Sequence, residues 1–277
     1  MTYKGSLEIL KETSRTFYIP ISTLPKDLQE AVASAYLCMR AIDEIEDHPQ
    51  LGKSTKAALL RTISLNLQTM GSSYNASSTN SSTNDELLAV LSKYETLPEV
   101  TTRIGDWAIL APETIAPRIW EATSAMADRM AYWVECGWKI RTEGDLNGYT
   151  FSVAGSVGLL LSDLWAWYDG TQTNRHQAIG FGRGLQAVNI LRNRTDDLTR
   201  HVDFFPQGWS SETMQRYARR NLSLADAYTN ALPKGPARNF CQIPLALAHA
   251  TLDVLALGQA KLSREAVIGI VEKLTVR

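Results

Sequence analysis

Two stretches of the chain concentrate residues whose types and spacing could do chemistry. The first is Tyr36-x3-Arg40-x2-Asp43-x3-Asp47, flanked by Glu44 and Glu46. At 100° per residue the four spaced positions fall within about 60° of one another, so on a helix they form one stripe. Asp43 and Asp47 lie one turn apart. Two carboxylates at that spacing can reach one hard cation, and oxygen ligands are what Mg²⁺ prefers. Tyr36 and Arg40 add a hydroxyl donor and a permanent cation suited to phosphate oxygens. The plainer reading is a solvated charged face. Against it, a like-charged i,i+4 pair is destabilising without a cation, and Tyr36 to Ile42 is too apolar for a helix lying wholly in water.

The second stretch runs from Gln186 to Arg200. On a helix Gln186, Asn189, Asn193, Asp196 and Arg200 share one side, with Asp197 at its edge. Leu185, Ile190, Leu191 and Leu198 lie elsewhere around it. Gly184 to Leu191 holds no Lys or Glu, so this polar stripe fits a lined cavity better than a solvent face. Two such helices facing each other would make a magnesium–diphosphate site. Metal ions bridging carboxylates and phosphate oxygens, with Arg and Tyr donors, neutralise a leaving diphosphate. An apolar helical core would keep water from the allylic carbocation left behind.

At these residues the chain resembles the squalene/phytoene synthase family of head-to-head prenyltransferases, in order from Ser14 to about Lys261. Ser14-Arg15-Thr16-Phe17 looks like the family's N-terminal segment, and Tyr36 to Asp47 like its first aspartate-rich motif. Tyr149 to Gly158, with Val153-Ala154-Gly155, is similar to its Tyr-Cys-x-x-Val-Ala-Gly-x-Val-Gly signature. Gln186 to Asp197, then Asp203-Phe204-Phe205-Pro206, resembles the second aspartate-rich motif and the segment after it.

The resemblance implies an all-α, single-domain isoprenoid-synthase bundle around a central cavity. It implies two farnesyl diphosphates condensed through presqualene diphosphate to a squalene-type C30 product, with Mg²⁺ as cofactor and NADPH use left open. By match, Asp43, Asp47, Asn193, Asp196 and Asp197 are the metal-binding set. Tyr149, Tyr36 and Arg40 stand at the catalytic centre. Ser14, Arg15, Phe17, Val153, Gln186, Asn189, Arg192 and Arg200 are substrate-binding.

Two departures bear on the reaction. Asn193 stands where the family's second motif has its first aspartate, and an amide oxygen ligates without charge. Val202 stands where the family usually has an arginine. They motivate an alternative: a divergent member that hydrolyses one prenyl diphosphate or passes its prenyl group to another acceptor. A phytoene- or dehydrosqualene-type product and a non-catalytic isoprenoid-binding bundle are further alternatives.

The elements that must position these residues read as helices. Leu28, Val32, Ala35, Met39 and Ile42 are spaced by 3 and 4 within 26–47, after Pro25 and before His48-Pro49. Similar patterns predict helices near 54–70, 85–95, 113–142, 145–167, 172–199, 210–231, 236–257 and 263–274. No βαβ rhythm or GxGxxG is present. Residues 72–84, rich in Ser, Asn and Thr, are expected to form a mobile loop. Gly155 and Gly158 mark a close approach to their helix, either by another helix or by a long ligand.

The whole chain, 277 residues at 44% hydrophobic content, suffices for a sizeable core. A net charge of -1 gives no nucleic-acid footprint. Cys38, Cys136 and Cys241 are odd in number, widely spaced and in apolar contexts, so they read as buried thiols in a reducing compartment. The four histidines show no ligand spacing, and the tryptophans read as core. With a charged N-terminus, no anchor at the C-terminus and no apolar run of ~20 residues, the chain reads as cytoplasmic. Peripheral membrane contact, for release of an apolar product, stays open.

Overall fold

The 3.6-residue periodicity is realised as helix along nearly the whole chain. The structure, a computed structural model, describes residues 3–72 and 80–275, without the side chains of 3, 4, 15, 72 and 80–83. Among the described residues there are fourteen α-helices, one π-helical turn and no strand. They divide into two compact units, Met1–Gly137 and Trp138–Arg277.

The first unit holds α1 (Tyr3–Thr13), α2 (Arg15–Ser22), α3 (Lys26–Glu46), α4 (Lys53–Ser72), α5 (Asn80–Leu91), α6 (Glu99–Thr102), α7 (Ile104–Ala108) and α8 (Ala116–Cys136). Helix α3 is its axis. Leu28, Val32, Ala35, Met39 and Ile42, the positions spaced by 3 and 4, are all buried, and the helix packs on α6, α7 and α8. Two buried hydroxyls tie α3 to its neighbours: Ser34 donates to the Trp107 carbonyl at 2.8 Å and Thr101 to the Ala41 carbonyl at 3.3 Å. Pro25, expected in the first turn, stands at the N-cap. Helix α8 stops short of the expected 142 because Gly137 turns left-handed at φ 64° and Trp138 follows at φ 49°. Of the expected loop 72–84, Ser72 ends α4 and residues 80–84 begin α5, while 73–79 lie outside the described residues.

The second unit holds α9 (Glu143–Thr150), a π-helical turn (Phe151–Gly155), α10 (Ser156–Asp169), α11 (Arg175–Thr199), α12 (Ser211–Ala231), α13 (Pro236–Ala256) and α14 (Arg264–Thr275). Helix α9 starts on a reciprocal cap, in which Thr142 and Asp145 satisfy each other's backbone N–H groups. Helix α11 is the axis here, packed on α9, the π turn, α10, α12 and α13. The glycines are what permit this. A Cβ on Gly158 would sit 1.9 Å from the Ala178 carbonyl oxygen, and one on Gly182 would sit 1.9 Å from that of Ala154. At Gly155 a Cβ would crowd the Ile179 side chain at 3.2 Å. Of the two readings of Gly155 and Gly158, helix packing is the one observed.

Candidate active site

In the first unit, α3 carries the first acidic stripe and α2 is laid against it. Ser14 caps α2, its hydroxyl accepting from the Phe17 N–H at 3.1 Å. The same hydroxyl hydrogen-bonds the Tyr36 phenol. The Phe17 ring meets the Tyr36 ring at 5.5 Å. The cap of one helix thus reaches the polar tip of the stripe on the next. Burial pushes the Tyr36 hydroxyl up, and the Ser14 bond pulls it partly back. The side chain of Arg15 lies outside the described residues.

One turn along α3, Arg40 pairs with Glu44. Its Nε is buried and has no hydrogen-bond partner among the described residues. Half-buried Asp43 and exposed Asp47 follow. Burial, and next the Asp47 carboxylate, push the Asp43 carboxyl up to about 7, against the opposing pull of Arg40.

In the second unit, α11 carries the other set. Asp197 is the buried acid, and Arg200 holds it at 2.6 Å. Asp196, its sequence neighbour, is exposed. Placing Asp197 at the edge of a polar stripe did not anticipate this, because the backbone beyond α11 folds back on it: the Val202 N–H donates to the Asp197 carbonyl at 3.1 Å. Half-buried Asn193 accepts from the Arg192 Nε at 3.1 Å. Exposed Asn189 donates to half-buried Gln186 at 3.4 Å. Tyr149, buried at the end of α9, stacks on Phe204 with centroids 4.5 Å apart and planes at 21°. Val153 sits half-buried in the π turn that follows.

The residues present fit a divalent cation carrying a phosphate ligand. The Asp47 carboxylate penalises the charge of Asp43, which a cation between them would relieve. The Arg40 Nε is a buried donor with an unmet bond. Among the described residues no three His, Cys, Asp or Glu side chains are grouped as a complete metal cage. Mg²⁺ is suited to such a partial set, since it takes one or two carboxylates and fills its remaining positions with water and phosphate.

Sequence reasoning passed over Arg194. Its guanidinium grips Asp203 at 2.9 Å and lies 3.8 Å from the Phe205 ring centroid. Asp203 in turn accepts from the Phe205 N–H at 3.0 Å. This latch fixes the segment that presents Phe204 to Tyr149. The usable signal was the aromatic pair directly after an acid, with an Arg on the preceding helix.

A family model described as squalene/phytoene synthase matches residues 10–215. The squalene synthase of Schizosaccharomyces pombe is 29% identical over 279 residues, covering 88% of this chain and 58% of its own length. That of Dictyostelium discoideum is 29% identical over 275 residues, covering 89% of this chain and 62% of its own. The chain therefore spans about three-fifths of the length of these curated relatives. A solved complex of TcSQS with the ligand BPH1237 shares the fold at a TM-score of 0.74 and 20% identity, over 98% of this chain and 86% of that one.

Proposed function

The chain belongs to the squalene/phytoene synthase family, and from that premise we propose that it is a Mg²⁺-dependent prenyltransferase. In this reading it condenses two farnesyl diphosphates head-to-head, through presqualene diphosphate, to a squalene-type C30 product. The observation that carries the reading is the cluster on α3: an acid pair beside Arg40 with a buried unmet donor, and Tyr36 held by Ser14 and Phe17.

Each residue has a physical task. Asp43 and Asp47 supply anionic oxygen for the cation. Bound Mg²⁺ would neutralise the diphosphate as its bond to the allylic carbon breaks. Arg40 offers N–H groups to phosphate oxygen, and the Tyr36 hydroxyl stays protonated as a donor at neutral pH. The stacked faces of Tyr149 and Phe204 stabilise a carbocation through their rings and keep water from it. Asn193 and Asp196 offer oxygen on α11. Gln186, Asn189 and Val153 line the prenyl channel in this reading, and Arg192 and Arg200 face the phosphates.

Incubation with farnesyl diphosphate and Mg²⁺, with and without NADPH, tests the reading by mass spectrometry of the products. A C30 hydrocarbon or presqualene diphosphate supports it. Farnesol alone would instead support the second reading, in which one prenyl diphosphate is hydrolysed or its prenyl group passed elsewhere, and unreacted substrate would overturn the proposal. Asn193 and Val202 are what favour that alternative, since one anionic ligand and one cation are missing from their usual places.

A further inference from the structure

Asp47 is the last acid of the stripe, and it stands at the C-cap of α3. A helix end is where backbone order is lost first, because its final carbonyls lack intrahelical partners. Two buried polar side chains, Lys56 and His48, hold this end beside the buried Glu46, and neither the acid pair nor its flanking donors account for them. Glu46, Lys56 and His48 are 6%, 7% and 8% exposed. The Lys56 ammonium, on the first turn of α4, donates to the Glu46 carbonyl at 2.6 Å, one residue before Asp47. One residue after Asp47, the His48 ring accepts at Nδ1 from the Gln50 N–H at 3.2 Å. Its Nε2 meets the Thr96 carbonyl at 3.2 Å. The Gln50 bond leaves Nδ1 unprotonated, so Nε2–H is the donor to Thr96.

Burying a lysine ammonium is a costly way to end a helix. Desolvating the charge is unfavourable, and a glycine normally suffices. What the ammonium adds is a fixed positive charge at the negative end of the helix dipole, one residue before Asp47. It also adds a rigid backbone on either side of Asp47. A ligand held in place before binding loses less freedom when it binds.

We propose that Lys56 and His48 are positioning residues for Asp47, clamping the C-terminal end of α3 so that its carboxylate is pre-set for a divalent cation. The inference rests on the acid stripe being the Mg²⁺ site of the proposed function. Neither residue is assigned to touch the metal or the substrate. Their effect belongs to the shell behind the ligands, where losses commonly weaken metal affinity 10- to 100-fold.

The test is a MgCl2 titration of the full chain at fixed inorganic diphosphate, followed by tryptophan fluorescence and by Tm. Lys56→Met should raise the half-saturating Mg²⁺ concentration about tenfold. His48→Asn keeps an acceptor for the Gln50 N–H but loses the tie to Thr96. It should shift the midpoint in the same direction by a smaller factor, and it decides the matter alone if Lys56→Met does not fold. Thr142→Ala removes a helix cap in the other unit and controls for lost stability; its midpoint should equal wild type. Variants that lose Tm but saturate at the wild-type Mg²⁺ concentration reduce the clamp to a helix cap and overturn the proposal, with the function reading intact. A wild-type chain indifferent to Mg²⁺ overturns that reading and the clamp together.

Discussion

Asp43 holds its proton far longer than an ordinary aspartate, because it is partly buried and faces Asp47 one turn away. Its carboxyl is raised to about 7, whereas in the unfolded chain it titrates near about 4. Between those values the folded state binds more protons than the unfolded one, so stability falls as pH rises through that window. Asp43→Asn removes the penalty. In the absence of divalent cations, Tm of the variant should match wild type near pH 4 and exceed it above pH 7, reflecting a stability gain of about 1 kcal/mol once solvent screening is allowed for. Adding Mg²⁺ and inorganic diphosphate at pH 8 should raise Tm of wild type and leave the variant nearly unmoved. Equal Tm profiles across pH would show that the acid pair carries no such strain. The spacing of Asp43 and Asp47 was legible in the sequence. The Val202 N–H on the Asp197 carbonyl and the Asp203 partner of Arg194 were not, because they come from a chain reversal after α11 that periodicity does not encode. That reversal makes Arg194 testable. Arg194→Leu loses a two-point ion pair and a ring contact, and should cost about 1–2 kcal/mol. Faster amide exchange at Phe205, whose N–H is held by Asp203, is the local sign to look for.

Helices were legible wherever an apolar stripe recurs every three to four residues, as in α3, α11, α12 and α13. What periodicity missed has local causes. Helix α2 is only one pitch and a half of apolar residues around Pro20, and the segment of α1, noted only for its charge, was not among the expected helices. The 145–167 pattern is in fact two helices joined by a π-helical turn, in which the Ser156 N–H reaches back to the Phe151 carbonyl. Such an offset leaves no mark in a hydropathy pattern, although π turns recur at functional sites, and this one directly follows Tyr149. The glycines give the sharpest prediction for these elements. At Gly158 and Gly182 the obstacle to a Cβ is a backbone carbonyl of the facing helix, which cannot rotate away as a side chain can. Gly158→Ala should therefore force α10 and α11 apart, costing about 3 kcal/mol or more and lowering Tm by roughly 5–10 °C. Gly269, on α14, has nothing within 4 Å. There the same change should be neutral or gain up to about 1 kcal/mol, as Ala is the better helix former. Comparable losses at the two sites would mean that close packing is not what Gly158 provides.

Composition gave the molecule's class correctly for a physical reason: a chain this apolar, without strand periodicity, must bury helix faces against one another. No helix among the described residues is long and apolar enough to cross a membrane. The ledger of charge is subtler. The chain carries a net charge of -1, and by the pattern its motif resemblance implies it lacks one anion at Asn193 and one cation at Val202. Restoring them together as Asn193→Asp and Val202→Arg leaves the total unchanged, so charge alone does not forbid either. Their surroundings differ. Asn193 is half-buried and already accepts from Arg192; a carboxylate there would accept the same bond with more strength. Val202 is 8% exposed, its N–H is bonded to the Asp197 carbonyl, and Asp197 already has its cation in Arg200. An arginine at 202 would have to displace buried packing, and should cost about 1–3 kcal/mol of stability. Asn193→Asp alone should leave stability within about 0.5 kcal/mol of wild type. If the missing anion is what limits coupling, Asn193→Asp should also raise the yield of C30 product from farnesyl diphosphate at low Mg²⁺, measured against farnesol by mass spectrometry. An unchanged product ratio in a stable Asn193→Asp variant would mean that the amide at 193 is not what limits coupling.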